Sequence, residues 1–147
     1  MALAPIPEIN SITSQVIGAA IAVHRHLGPG LFESVYLKCL LEELKTTGRT
    51  LETERPVPVI YKGVKLDCGF RLDLIVDGKV IVEVKSLTQV APVHRAQMLT
   101  YLVLTGCQAG LLINFNVDKL TDGVRRVARP DLYVKDHQPP PCLPPPV

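Results

Sequence analysis

No stretch of the 147-residue sequence approaches the ~18 consecutive apolar residues of a membrane span. The best candidate, residues 16–23, stops at His24-Arg25-His26. A basic leader followed by an apolar core and a cleavage site is also missing, so no secretory signal is expected. Charge of one sign is scarce. The net formal charge is +2 and the pI about 8.4, which excludes the basic coat of a non-specific DNA packager but not an enzyme with a local basic cleft. Cysteine is sparse too. Cys39, Cys68, Cys107 and Cys142 stand far apart, with no C-x-x-C pair and no histidine at zinc-finger spacing. Idle thiols in a reducing cytoplasm are expected.

What is present describes one folded domain. Hydrophobic residues make up 47% and charged residues 20%, enough apolar material for a core and too little charge for disorder. There is no internal repeat. Six of the thirteen prolines fall between Pro139 and Pro146, so residues 131–147 read as an extended, solvated tail. Residues 1–9 read as an N-terminal extension and residues 10–130 as the domain.

Ile9, Ile12, Val16, Ile17, Ala20 and Val23 recur at helical spacing, with Ser11, Thr13 or Ser14 as the cap. Gly28-Pro29-Gly30 ends that helix. A second runs from about Leu31 to Gly48, with Leu37, Leu40, Leu41 and Leu44 as its apolar stripe. Three strands are expected next: residues 57–61, an edge strand because of Pro56 and Pro58, then 64–76 and 79–85. Pro92 opens a third helix that Gly106 closes. A buried strand over 110–115 and a short one around Val124 and Val127 complete an α/β domain with a mixed sheet.

The strands 64–76 and 79–85 hold the chemistry. With a period of two, Leu72, Leu74, Val76, Val80, Val82 and Val84 form one face, and Arg71, Asp73, Ile75, Ile81, Glu83 and Lys85 the other. A two-residue loop at Asp77-Gly78 would mix the two sets. A three-residue loop of Val76, Asp77 and Gly78 keeps them apart, pairing Ile75 with Lys79 and Arg71 with Glu83. Asp73, Glu83 and Lys85 then project from one side. Two such carboxylates suit a hard divalent cation, and the lysine can orient a water and offset developing charge. An ordinary cross-strand cluster of ion pairs is the competing reading.

His94, Gln97 and Tyr101 form a polar stripe on the third helix, from which a glutamine and a tyrosine can bind phosphate or a base; a half-exposed helix face explains them equally. Glu33 is a third site carboxylate or a favourable charge at a helix start. His24 and His26 suit the end of the first helix better than a metal, and His94 suits a supporting role better than that of general base. Arg125, Arg126 and Arg129 either touch phosphates or line a solvated strand edge.

Residues Gly30-Leu31-Phe32-Glu33-Ser34-Val35-Tyr36 resemble the G-x-x-E-x-x-Y signature of the GxxExxY proteins, a family within the PD-(D/E)XK nuclease superfamily. The similarity runs from about Ser14 to Arg129 and takes in Tyr61-Lys62-Gly63, Phe70 to Val76, Glu83-Val84-Lys85 and Leu111 to Asn116. Gln97-Met98-Leu99-Thr100-Tyr101 resembles the Q-x-x-x-Y motif of RecB-like nucleases. Phe70 stands where the family commonly has tyrosine, which keeps the ring and removes a hydroxyl. The resemblance implies a restriction-endonuclease-like αβββαβ core. It also implies that Asp73 and Glu83 hold Mg²⁺ or Mn²⁺, that Lys85 positions the attacking water and that Glu33 assists. Gln97 and Tyr101 would align the nucleic acid, with DNA expected rather than RNA. A bare core of this size is expected to work as a homodimer or inside a larger nucleic-acid-processing assembly. The alternative is a catalytically silent nucleic-acid-binding or assembly module on the same scaffold.

Overall fold

The structure, a computed structural model, describes residues 3–129. The proline-rich tail and Cys142 lie outside them. Helix α1 spans Ile6–Leu27 and buries Ile9, Ile12, Val16, Ala20 and Val23, the expected stripe. Its start corrects the expectation. Pro5 takes the cap position and Pro7 sits in the first turn, where a missing N–H leaves no hydrogen bond unmade. Residues 6–9, expected to precede the domain, are therefore helical. Gly28, at φ 72°, ends the helix by donating its N–H to the His24 carbonyl at 2.8 Å. Helix α2, Glu33–Leu44, begins two residues later than expected and buries Tyr36, Leu40 and Leu44; Gly48 closes the 3₁₀ turn behind it.

The strands are β1 Leu51–Pro56, β2 Val59–Tyr61, β3 Val64–Leu66, β4 Arg71–Val76, β5 Val80–Lys85, β6 Ala109–Asn114 and β7 Val124–Ala128; α3 spans Pro92–Thr105. The main sheet has the order β1-β4-β5-β6-β7, with β5 and β6 parallel and the other pairs antiparallel. Residues 57–61 are thus not the first strand of the meander. That place belongs to Leu51–Pro56, whose charged, exposed sequence hides its strand character. The expected strand over 64–76 is broken at residues 67–70, where the Asp67 carboxylate accepts the Gly69 N–H at 2.9 Å. Its first part pairs with Val59–Tyr61 in a separate hairpin.

Helices α1 and α2 cover one face of the sheet, over Leu74, Val76, Val80, Val82, Val84, Leu111 and Ile113. Helix α3 covers the other, with Met98 and Leu102 packed among Ile75, Ile81 and Leu112. Leu72 departs from the expected alternation and joins the α3 side. The slip falls at Asp73, opposite which Glu54 of β1 takes φ 55° between the pairs Thr53–Leu74 and Arg55–Leu72.

Between β4 and β5 the even-with-even pairing holds, but the register is displaced by two residues. Val76 pairs with Val80 and Ile75 with Ile81, leaving Asp77, Gly78 and Lys79 as the loop. Asp77 keeps φ 53° because its carboxylate accepts the Thr50 N–H and an Arg49 guanidinium N–H, both at 2.8 Å. Continued along the strands, this register sets Glu83 opposite Asp73 rather than Arg71.

Candidate active site

The β4–β5 ladder ends in an exchange between side chains. The Asp73 N–H donates to Glu83 Oε1 at 3.1 Å, and the Val84 N–H donates to Asp73 Oδ2 at 2.9 Å. Each carboxylate thus takes the place of a backbone rung, and among the described residues its other oxygen has no hydrogen-bond partner. Glu83 is only 5% exposed and Asp73 is half-buried. Burial, reinforced by the charge of Asp73, pushes the Glu83 carboxyl up to about 8, although the Asp73 N–H and Lys85 oppose the rise. Burial likewise raises Asp73 above the usual carboxylate range, against the Val84 N–H and Lys85, with Glu33 adding to the rise. Two half-satisfied carboxylates that repel each other out of water are a strong attractor for a cation.

Metal chemistry fits this donor set. Among the described residues no three His, Cys, Asp or Glu side chains gather closely enough to cage an ion. Mg²⁺ needs no such cage, since it is commonly held by one or two carboxylates and completed by water and substrate phosphate.

Lys85, two residues beyond Glu83, stabilises both carboxylates electrostatically yet makes none of the direct ion pairs formed among the described residues. Glu33 meets the site from the first turn of α2, where it accepts the Ser86 N–H at 3.4 Å. Ser86 Oγ donates to the Leu31 carbonyl at 2.6 Å, binding the α1–α2 loop to the end of β5. Buried Tyr36 fixes that loop from behind. Its hydroxyl donates to the Gly28 carbonyl at 2.6 Å and accepts the Leu31 N–H at 3.1 Å, while its ring stacks on Phe115 at 4.4 Å. Leu31, Phe32, Glu33, Ser34 and Ser86 line an open cleft of about 400 Å³ at the Glu33 end of the site.

From the other side, α3 contributes Gln97 and Tyr101. The Tyr101 hydroxyl and Gln97 Nε2 are buried with no hydrogen-bond partner. Burial and then the charge of Glu83 raise the Tyr101 hydroxyl above its ordinary value. Phe70, at the tyrosine position of the resemblance, stacks on the Tyr101 ring at 4.6 Å. His94 is occupied elsewhere, its Nδ1 accepting the Ala91 N–H at 2.9 Å at the start of α3. His24 does not cap its own helix; it donates through Nε2 to the Val117 carbonyl at 2.7 Å.

The structure does not bring both arginines to this cluster. In β7, Arg125 pairs with Leu112 and Arg126 with Leu111, so they occupy opposite faces. Arg126 is bound to Asn10 Oδ1 of α1 at 2.6 Å, on the face away from Glu83. Arg125 shares the row of Glu83 and Leu112, two strands away, and donates to the Asp122 and Val124 carbonyls. Two positioning residues went unmarked in the sequence, Ser86 and Asn114. Buried Asn114 accepts the Leu87 N–H at 2.9 Å and donates to the Leu87 carbonyl at 3.0 Å, pinning the chain as it leaves Lys85. A lone amide near the end of the apolar run 110–115 is the only signal it leaves.

A family model described as the PD-(D/E)XK nuclease superfamily matches residues 10–127. The chain belongs to that superfamily. No curated protein and no solved structure matches it. The five-strand mixed sheet between helices agrees with the restriction-endonuclease-like fold of the superfamily, and membership supports a nuclease-like function. Nucleases of this superfamily generally use divalent metals. No helix among the described residues is long and apolar enough to cross a membrane.

Proposed function

We propose that this superfamily member is a divalent-metal-dependent nuclease of the GxxExxY type that hydrolyses phosphodiester bonds, in DNA rather than RNA, in the cytoplasm. The observation that carries this reading is the Asp73–Glu83 exchange, which leaves one oxygen of each carboxylate unpaired. Asp73 and Glu83 would hold Mg²⁺ or Mn²⁺, which would supply positive charge and acidify water. Lys85 orients the attacking water and offsets charge developing on the phosphate. Glu33 assists from the rim of the cleft. Gln97 and Tyr101 back the site from α3 and align the bound strand, and Arg125 meets phosphate further along the same face. Attack by water needs no covalent intermediate with the protein.

The test is cleavage of circular and linear, single- and double-stranded substrates in Mg²⁺ or Mn²⁺, beside Asp73→Ala and Glu83→Ala. Cutting is expected to disappear with EDTA and in either variant while the circular-dichroism spectrum is unchanged. Full activity in both variants refutes the site. Metal-independent binding without cutting identifies a silent module instead.

A further inference from the structure

The β2–β3 hairpin stands apart from the main sheet, paired only with itself. A ribbon of this size is marginal in water unless something covers it. Yet Tyr61, Val64 and Leu66 are 59%, 55% and 43% exposed. The pairs Tyr61–Val64 and Val59–Leu66 place all three on one face. The reverse face, with Ile60 opposite Lys65, looks onto a cleft of about 260 Å³ shared with Leu104, so the apolar face is turned away from the domain.

Charge distinguishes this hairpin from an ordinary hydrophobic patch. Lys62, at the turn with φ 48°, holds its ammonium 5.5 Å from the centre of the Tyr61 ring. Residues 59–66 contain no carboxylate, and neither Lys62 nor Lys65 joins the ion pairs formed among the described residues. The hairpin also leaves the sheet at the end that carries the site. It joins Pro56 of β1 to Arg71 of β4, and the register sets Arg71 at the Lys85 end of β5. Its base is closed by the Val57 N–H on the Phe70 carbonyl, and Phe70 stacks on Tyr101 of α3.

We infer that this hairpin is an arm that grips nucleic acid outside the scissile position, Tyr61 stacking on a base, Lys62 at the turn beside it meeting phosphate and Lys65 meeting phosphate from the reverse face. The inference rests on the nuclease reading and names how its substrate is held. Phosphates supply the counter-charge that both ammonium groups lack, whereas a neutral apolar partner would bury them unpaired. A two-fold contact between copies would set the two lysines of this ribbon against their own counterparts, with no carboxylate in residues 59–66 to offset them. An exposed aromatic beside a cation is the usual platform for a nucleic-acid strand.

Fluorescence anisotropy with single- and double-stranded oligonucleotides in EDTA, where no metal-dependent cutting occurs, tests the arm. The Lys62→Glu/Lys65→Glu protein is expected to bind about tenfold or more weakly, with a salt dependence reduced by about two phosphate contacts. Tyr61→Ala is expected to weaken single-strand binding at least about fivefold, and Tyr61→Phe to restore it. Lys38→Glu/Lys45→Glu, on the exposed face of α2 and just past its end, makes the same change of charge away from the hairpin and controls for net charge. Unchanged affinity and salt dependence in the hairpin variants overturn the inference. So does a wild-type dimer that Tyr61→Ala dissociates at unchanged nucleic-acid affinity. Parallel cleavage assays separate the two readings. Wild-type cutting with unaffected hairpin variants removes only the arm, and hairpin-dependent binding without metal-dependent cutting removes only the nuclease.

Discussion

Replacing Glu83 with glutamine should stabilise the metal-free protein, and the gain should depend on pH. Glutamine keeps an Oε1 acceptor for the Asp73 N–H while removing the charge that burial and Asp73 oppose. The folded site raises Glu83 from 4.5 to about 8, so the protonated form suits the fold. Its contribution is fully present below pH 4.5 and is lost as pH rises through about 8. At ~1.36 kcal/mol per pH unit, full ionisation costs up to about 5 kcal/mol. The variant should therefore melt on the order of 10 °C above wild type at alkaline pH and converge with it in acid. Scanning calorimetry of both proteins from roughly pH 5 to pH 9 reads this directly. Mg²⁺ at a hundred times its Kd should narrow the alkaline gap by up to about half, because it stabilises wild type by about 2.7 kcal/mol and the variant by less. A melting difference that is flat across pH would refute the electrostatic account of the pair. A gap that Mg²⁺ leaves unchanged would remove Glu83 from the metal site.

Lys85→Ala should lower the cleavage rate far more than it lowers Mg²⁺ affinity by calorimetry, since Lys85 is assigned to water and phosphate; equal losses would contradict that role. Tyr36→Phe removes the hydroxyl bonding Gly28 and Leu31 and should cost about 1–3 kcal/mol in urea unfolding. It should also reduce activity by loosening the loop that carries Glu33. Gly123→Ala would set a Cβ 2.1 Å from the Asn114 carbonyl oxygen, a backbone atom, and should lower stability by about 2 kcal/mol or more. Gly110→Ala meets the flexible Met98 side chain and should be tolerated better, a ranking that paired thermal melts decide.

Periodicity and strong punctuation by themselves determined much of this molecule. The α3 bounds follow from Pro92 and Gly106, because a proline ring suits a first turn and a glycine the left-handed position after the last. Parity alone put Glu83 and Lys85 opposite to Val80, Val82 and Val84, since an odd slip would have turned those valines out of the core, whereas Asp73 lies at the slip in β4 and meets Glu83 through the exchange of hydrogen bonds. Tertiary structure decided the rest. Leu51–Pro56 has no apolar alternation, and its strand exists because β4 offers an open edge to pair with. Pro5 and Pro7 made a helix start where the cap-like Ser11 and Ser14 suggested a later one. The two-residue register displacement that set Glu83 against Asp73 depended on Arg49 and Thr50 holding Asp77, contacts 27 and 28 residues away in sequence. The separation of Arg125 from Arg126 is likewise a matter of pairing, because neighbours in a strand face opposite ways and only the sheet says which way. Local sequence carries period and breakers; register, facing and burial arise from partners distant in the chain.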